Sequence, residues 1–107
     1  MVFTNDKNPR SECVHDYLPT LVQYGATLGA NSTIICGHTI GRYAFVAAGA
    51  IITSNVPDYA LMVGTPAKHC GWVCKCSTRL YFDGSITVCH KCGTKFTWVS
   101  NIVTEIV

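Results

Sequence analysis

The chain has 107 residues, of which 49% are hydrophobic and only 13% are charged, and its formal net charge is +2. This composition excludes an intrinsically disordered chain, which combines low hydrophobicity with high charge, and so small a charge argues against a nucleic-acid partner. No apolar run reaches the ~18 residues of a membrane span, and Met1 to Arg10 contains no apolar signal-peptide region. We therefore expect a cytoplasmic protein without membrane insertion.

The first part of the chain, residues 1–21, is predicted to form an incoming strand and a polar loop. It reads VFTNDKNPR after Met1 and remains polar from Ser11 to Asp16. We expect this loop to leave the ordered body of the protein and to return to it near Pro19.

The middle of the chain repeats with a period of six. An aliphatic residue recurs at each sixth position, and the residue four places later is small or modest in size in five of six cases; the two series are Val22, Leu28, Ile34, Ile40, Val46, Ile52 and Ala26, Ser32, His38, Ala44, Ala50, Val56. Neither an amphipathic helix nor an alternating strand has this period. A parallel β-helix with triangular coils does, since each hexad supplies one strand and one corner. Residues 22–57 would make about two coils with the aliphatic side chains inside, and glycines at corners would relieve the backbone. The alternative is an ordinary β-rich domain with chance periodicity.

The end of the chain carries four of its seven cysteines in one cluster, Cys74-x-Cys76 and Cys89-x-x-Cys92, separated by twelve residues. Without an export signal, such clustering favours metal binding over disulfides. Asp83-Gly84 lies between the pairs and predicts a hairpin turn. Two cysteine pairs joined by a hairpin predict a zinc ribbon over residues 70–107, with a structural Zn²⁺ held by four thiolates. Iron in the same site, or four reduced thiols, are the alternatives. We expect the ribbon to cap the open end of the β-helix.

Two longer motifs carry a family resemblance. The stretch LGANSTIICGHTIGRYAFVAAGAIITSNVPDYALMVGTPAK resembles the last coils and exit loop of hexapeptide-repeat acyltransferases. VFTN-x-x-NPR followed by GW-V-C-x-C resembles, more narrowly, the N-acetyltransferases of UDP-2-acetamido-3-amino-2,3-dideoxy-glucuronate in bacterial surface-polysaccharide pathways. The resemblance implies an all-β fold: a left-handed parallel β-helix of about two coils, with its exit loop over residues 22–69, followed by the zinc ribbon. It also implies a homotrimer with sites between subunits, acetyl-CoA as cosubstrate and a UDP-linked amino sugar as substrate.

The resemblance places the substrate site on the first loop. Many hexapeptide acyltransferases have a catalytic histidine there, whereas this chain and the amino-sugar subfamily have asparagine, Asn5. An amide cannot act as a general base, but it can orient the substrate or donate a hydrogen bond. Arg10 is a candidate for the sugar carboxylate or a phosphate, and His15 could reach the site of a neighbouring subunit. The alternatives are a loop-stabilising Asn5, a solvated Arg10 and a structural His15.

The same resemblance predicts the coenzyme site along one edge of the coils. The matching positions are Ala30, Ala48, Thr53, Ser54 and Lys68. Small side chains would let the extended ligand lie against the backbone, and Lys68 would meet a phosphate as a point charge. Ser54 stands where the family often has lysine. Coil packing alone is the alternative explanation for the two alanines.

These features lead to an enzyme as the first hypothesis: an acetyl-CoA-dependent N-acetyltransferase of a UDP-linked amino sugar. In the resembling enzymes further coils precede the first loop. A truncated, non-catalytic remnant of such an enzyme is therefore a second hypothesis. A zinc-ribbon module that binds nucleic acid is a third, and it leaves the hexads unexplained.

Overall fold

The computed structural model describes residues 2–3 and 19–106, in which all regular structure is β-strand. The strands are β1 (Val2–Phe3), β2 (Leu21–Val22), β3 (Thr27–Leu28), β4 (Thr33–Ile34), β5 (Thr39–Ile40), β6 (Phe45–Val46), β7 (Ile51–Ile52), β8 (Ala60–Gly64), β9 (Ala67–Val73), β10 (Arg79–Leu80), β11 (Ile86–Val88), β12 (Lys95–Val99) and β13 (Ile102–Ile106). No helix long and apolar enough to cross a membrane occurs within these two ranges.

Strands β2 to β7 wind around three faces, as the hexad period predicts. Strands β2, β3 and β4 each pair in parallel with the strand three hexads further on, so that Leu21 faces Thr39, Thr27 faces Phe45 and Thr33 faces Ile51. The three faces consist of β1-β4-β7, β2-β5 and β3-β6-β8. Because the strands in these three pairs are 18 residues apart in sequence, one coil of three hexads returns the chain to the same face. The left hand of these crossovers stays a prediction from the resemblance.

The aliphatic series fills the interior of the coils. Four of its members are 0% exposed, namely Ile34, Ile40, Val46 and Ile52, and the half-buried Leu28 packs against them. Val22 departs from the pattern and is 38% exposed. Its strand β2 pairs only with β5 in the part of the chain described, so no second strand covers it.

The corners between the faces contain a left-handed residue at every sixth position. These residues are Gly25, Asn31, Gly37, Tyr43 and Gly49, with φ values between 55° and 85°. A β-carbon destabilises this conformation, so glycine and asparagine are the residues expected there. Tyr43 is the exception in the series.

The glycines that directly follow an aliphatic residue serve another purpose. Gly29 and Gly41 are not left-handed. A β-carbon on Gly29 would lie 2.5 Å from the backbone nitrogen of Ala48, and one on Gly41 would lie 2.5 Å from that of Asp58. These two positions are therefore glycine because the next coil approaches them closely, a reason separate from the backbone relief expected of corner glycines.

The three corners can be named by their positions. The alanine corner comprises residues 29–32 and 47–50, the aromatic corner comprises 23–26, 41–44 and 57–59, and the third corner comprises 35–38 and 53–55. After β7 the spacing shortens, since Ile40 bridges Val56 and Phe45 faces Leu61, both 16 residues on. The regular repeat ends here. After β8 the chain reverses direction, and β9 pairs with β8 in antiparallel orientation.

The ribbon shares a core with the last coil. Phe96 on β12 is 0% exposed, and its ring lies edge-on to that of Tyr59, with 5.1 Å between ring centroids. Tyr59 in turn stacks on Tyr43 at 5.6 Å, and Tyr43 contacts Tyr24 at 5.6 Å. An aromatic ladder thus runs along the aromatic corner into the ribbon. This packing supports the hypothesis that the ribbon caps the coils. The sheet β10-β9-β8-β6-β3 also continues across the boundary predicted at residues 69/70.

Candidate functional site

The four clustered cysteines come together at one point. One sulfur from each of Cys74, Cys76, Cys89 and Cys92 lies within 4.8 Å of all the others. The Sγ atoms of Cys74 and Cys92 are 3.3 Å apart, and those of Cys76 and Cys89 are 3.7 Å apart. Zn–S bonds of ~2.3 Å in a tetrahedron place sulfurs ~3.8 Å from one another. The four thiols therefore fit a metal ion of this size and geometry.

Two similar backbone turns present these thiols. Each turn ends in a left-handed residue followed by threonine, Ser77-Thr78 in the first (φ 70°) and Gly93-Thr94 in the second (φ 78°). In both turns the N–H of the first cysteine donates to the carbonyl of that threonine over 2.8 Å. The second turn is one residue longer, which accounts for the difference between C-x-C and C-x-x-C.

The thiols differ in their acidity. Burial raises the pKa of Cys74 to about 12. Hydrogen bonds with Thr94 lower the pKa of Cys92 to about 6, and hydrogen bonds with Thr78 lower that of Cys76. The thiols of Cys76 and Cys92 thus ionise more easily than an ordinary thiol, whereas the buried Cys74 retains its proton in the absence of a cation.

The residues predicted to bind the coenzyme fall on two different corners. Ala30 and Ala48 are both exposed at the alanine corner, on successive coils, and the neighbouring Gly49 N–H donates to the Ala30 carbonyl over 2.9 Å. The Thr65 hydroxyl donates to the Gly49 carbonyl over 3.2 Å, so the tip of the β8–β9 hairpin continues this edge. Exposed Lys68 lies on the same hairpin, opposite Val63.

Thr53 and Ser54 are exposed at the third corner, directly after β7. The structure therefore groups Ala30, Ala48 and the hairpin of Lys68 along one edge and places Thr53 and Ser54 at the next. The predicted substrate residues Asn5, Arg10 and His15 lie outside the described residues.

Sequence reasoning missed an aromatic cavity beside the ribbon. It has a volume of about 440 Å³ and lies between β9, β10 and the residues around the β12–β13 turn, and its walls include Trp72, Arg79 and Trp98. The only sequence signal was the presence of both tryptophans near the cysteine pairs, and nothing in their spacing indicated that they would meet.

Comparison with known proteins gives the chain its relatives. No protein-family model matches it. It is 43% identical over 88 residues to a dTDP-3-amino-3,6-dideoxy-α-D-galactopyranose 3-N-acetyltransferase of Aneurinibacillus thermoaerophilus, covering 82% of this chain and 45% of the relative. It is 46% identical over 50 residues to a 2,3,4,5-tetrahydropyridine-2,6-dicarboxylate N-acetyltransferase of Staphylococcus aureus, covering 47% of this chain and 21% of that enzyme.

Among solved structures, the fold is similar to a hexapeptide-repeat acetyltransferase of Vibrio cholerae in complex with acetyl coenzyme A. The TM-score is 0.60 with 27% identity, over 66% of this chain and 41% of that one. The chain is related to hexapeptide-repeat acetyltransferases. The chain spans less than half of the length of each of these relatives. A match over 88 of 107 residues must include residues 22–57, so the part shared with the first of these relatives includes the repeats.

Proposed function

We propose that the chain is, or belongs to, an acetyl-CoA-dependent N-acetyltransferase of a nucleotide-linked 3-amino sugar. The observation that carries this proposal is the 43% identity, over 82% of the chain, to a protein named as a 3-N-acetyltransferase of a dTDP-linked amino sugar. The more specific motifs VFTN-x-x-NPR and GW-V-C-x-C favour a UDP-linked 3-amino-uronic sugar from surface-polysaccharide synthesis. We place the enzyme in the cytoplasm, as a homotrimer.

Acetyl-CoA would lie along the alanine corner. Ala30 and Ala48 carry only a methyl group and are exposed, so an extended chain can approach the backbone of both coils. Exposed Lys68, on the adjoining hairpin, would then pair with a coenzyme phosphate. Thr53 and Ser54, at the third corner, would contact another part of the coenzyme, and Ser54 would offer a hydroxyl where the family often has a positive charge.

The reaction requires a neutral amine on the sugar. Its nitrogen attacks the thioester carbonyl, the carbonyl–sulfur bond breaks, and the sulfur leaves as the thiolate of coenzyme A while the nitrogen loses a proton to solvent. Asn5 has an amide that cannot accept this proton. We assign it to orienting the amine or to donating a hydrogen bond to the developing oxyanion. Arg10 and His15 would hold the anionic groups of the sugar nucleotide.

Zn²⁺ would be held by Cys74, Cys76, Cys89 and Cys92 and would serve structure. Four protein ligands leave no open coordination position for a substrate. The ribbon has a small core of its own, so metal binding would supply much of its folding free energy. Through Phe96 and Tyr59, whose rings lie 5.1 Å apart, that stability would extend to the last coil.

Turnover by the full chain tests the proposal. The purified protein is incubated with acetyl-CoA and a set of UDP- and dTDP-linked 3-amino sugars, and the acetylated sugar is detected by mass spectrometry. The release of coenzyme A cannot be followed with a thiol reagent, because the exposed Cys70 and Cys92 would react with the same reagent. Acetyl-CoA binding without turnover on any sugar would instead support the non-catalytic remnant.

A steric variant locates the coenzyme. Ala48→Leu adds bulk to the exposed alanine corner and should weaken acetyl-CoA binding at least ~10-fold, equivalent to ~1.4 kcal/mol. Ser85→Leu adds a similar side chain at an exposed position in the ribbon and is the matched control. Equal affinities for the two variants would refute the placement along this corner.

A further inference from the structure

The aromatic cavity beside the ribbon has the size and lining of a small-molecule site. Its volume of about 440 Å³ falls within the ~300–1,000 Å³ typical of ligand pockets. Its described lining contains none of the residues assigned above to acetyl-CoA, the sugar or the metal. The chain has two tryptophans, and both line this cavity, Trp72 from β9 and Trp98 from β12.

One side of the cavity is a continuous aromatic wall. The Phe82 and Trp98 ring centroids are 5.6 Å apart, those of Trp98 and Trp72 are 6.2 Å apart, and those of Trp72 and His69 are 4.3 Å apart. Trp72 is only 6% exposed and belongs to the core, whereas Trp98 is 37% exposed. The buried Trp72 thus holds one part of the wall in the core, and the exposed Trp98 is accessible to a ligand. Such a surface stacks well with a planar heteroaromatic ring.

The rim of the cavity carries the positive charge of Arg79. The Arg79 guanidinium donates from Nη2 to the Cys70 carbonyl over 2.7 Å, and it lies 5.6 Å from the centroid of the exposed Tyr81 ring. A β-carbon on Gly71 would come within 2.9 Å of the same nitrogen. The absence of a side chain at Gly71 therefore lets the guanidinium lie close against strand β9.

This charge has no carboxylate partner among the described residues, where the two ion pairs are Arg42–Asp58 and Lys75–Glu105. Its single hydrogen bond within the same residues engages Nη2 alone. The remaining N–H groups are suited to a two-point contact with a phosphate or carboxylate.

We propose that this cavity binds a nucleoside phosphate, with the base against Trp98 and Phe82 and the phosphate at Arg79. The proposal adds a nucleotide subsite to the transferase proposed above; the identity of the ligand rests on that function, whereas nucleotide binding at the cavity is tested without turnover. Two sources share the chemistry: the nucleoside diphosphate of a sugar nucleotide, and the adenosine 3′,5′-bisphosphate end of coenzyme A.

Intrinsic fluorescence measures the binding directly because both tryptophans border the cavity. The full chain is titrated with UDP, dTDP and adenosine 3′,5′-bisphosphate, and separately with uridine, thymidine and adenosine, with excitation at the red edge of the tryptophan band to limit nucleotide absorption. We expect a saturable change in emission with at least one nucleotide, and at least ~10-fold weaker binding of the matching nucleoside, which lacks the charge-assisted contact. Tighter binding of UDP or dTDP identifies the sugar nucleotide as the source, and tighter binding of the adenosine compound identifies the coenzyme.

Two variants connect the signal to the cavity. Arg79→Gln should weaken the nucleotide at least ~10-fold and leave the nucleoside unchanged. Trp98→Leu should weaken both, by roughly 5-fold or more, through loss of stacking. Arg42→Gln removes an arginine from the aromatic corner, where it pairs with Asp58 at 3.4 Å, and is the matched control. If Trp98→Leu fails to fold, Arg79→Gln at an exposed position still provides the test.

Two results would overturn the proposal. One is the absence of any saturable emission change up to about 10 mM nucleotide, well above the ~1 µM–1 mM range of ordinary enzyme substrates. The other is an unchanged nucleotide affinity in Arg79→Gln, which would place the binding elsewhere. A chain that binds nucleotide here but acetylates no sugar would retain this site while refuting the transferase proposal.

Discussion

Replacing Gly29 with alanine tests how closely the coils are stacked. The new β-carbon would lie 2.5 Å from the Ala48 nitrogen, 2.7 Å from the Ala47 carbonyl carbon and 2.7 Å from the Val46 oxygen. Carbon atoms in ordinary contact stand ~3.5 Å or more apart. All three atoms belong to the backbone of the next coil, so no side-chain rotation can relieve the overlap. The two coils must separate by about 1 Å at this corner, or the strands must tilt.

The expected loss follows from the contacts at that corner. Separation weakens the hydrogen bonds from Gly29 N to Val46 O (2.8 Å) and from Gly49 N to Ala30 O (2.9 Å). Each contributes ~1 kcal/mol, and overpacking of a tight region adds ~1–3 kcal/mol. We therefore expect Gly29→Ala to lower the free energy of unfolding by ~3–5 kcal/mol, a large part of the ~5–15 kcal/mol of an ordinary domain.

Gly49→Ala is the matched control from the same corner. Its φ of 75° is left-handed, but a β-carbon there would meet nothing within 4 Å. Only the backbone strain of ~1–2 kcal/mol applies. Urea unfolding of both variants and the parent chain, saturated with zinc and at one protein concentration, gives the two differences. A Gly29→Ala loss no larger than that of Gly49→Ala would refute the close-approach argument.

Further predictions concern the ribbon and its metal. Phe96→Ala should lower the unfolding free energy by ~3–5 kcal/mol and Phe96→Leu by clearly less, measured by urea unfolding, because the ring is fully buried; equal losses would contradict the packing of ribbon on coil. Ser77→Gly should raise stability by ~0.5–1 kcal/mol, since Ser77 has the left-handed φ of 70° that Gly93 has in the second turn; a loss in thermal unfolding would contradict it. Cys89→Ser should lower the Zn²⁺ content, measured by atomic absorption, while Cys70→Ser should leave it at one ion per chain. Of these two cysteines, Cys89 belongs to the four-sulfur cluster and Cys70 does not. Equal zinc content in both variants would exclude the site.

The period of six predicted the three faces. In triangular coils an aliphatic side chain at each sixth residue points inward from every strand, and Ile34, Ile40, Val46 and Ile52 do so with no exposure. The cysteine spacing predicted the four-sulfur cluster equally well, because a hairpin that joins two short turns brings the cysteines of both turns together. Both signals are local and repetitive.

Features that depend on contacts between distant segments could not be read in this way. The ladder of Tyr24, Tyr43 and Tyr59 has spacings of 19 and 16 residues, which fit no multiple of six. The first spacing is one residue longer than a regular coil, and the second reflects the last coil, which is two residues shorter. The cavity forms only when β9, β10 and β12 pack together, and its residues share no spacing. Thr53 and Ser54 were grouped with Ala30 and Ala48 by family resemblance, whereas the chain's path places them at another corner.

The 18-residue pairing of the coils has a consequence for how this protein could be lengthened. Duplicating one 18-residue unit, such as residues 29–46, would insert a further layer and move the ribbon ~4.8 Å along the long axis without turning it. Inserting six residues would instead rotate the ribbon by about a third of a turn around that axis, because the chain would arrive one face later. The direction in which the cysteine cluster and the tryptophan cavity point thus depends on the face at which the last hexad ends. Their distance from the first layer depends on the number of whole coils.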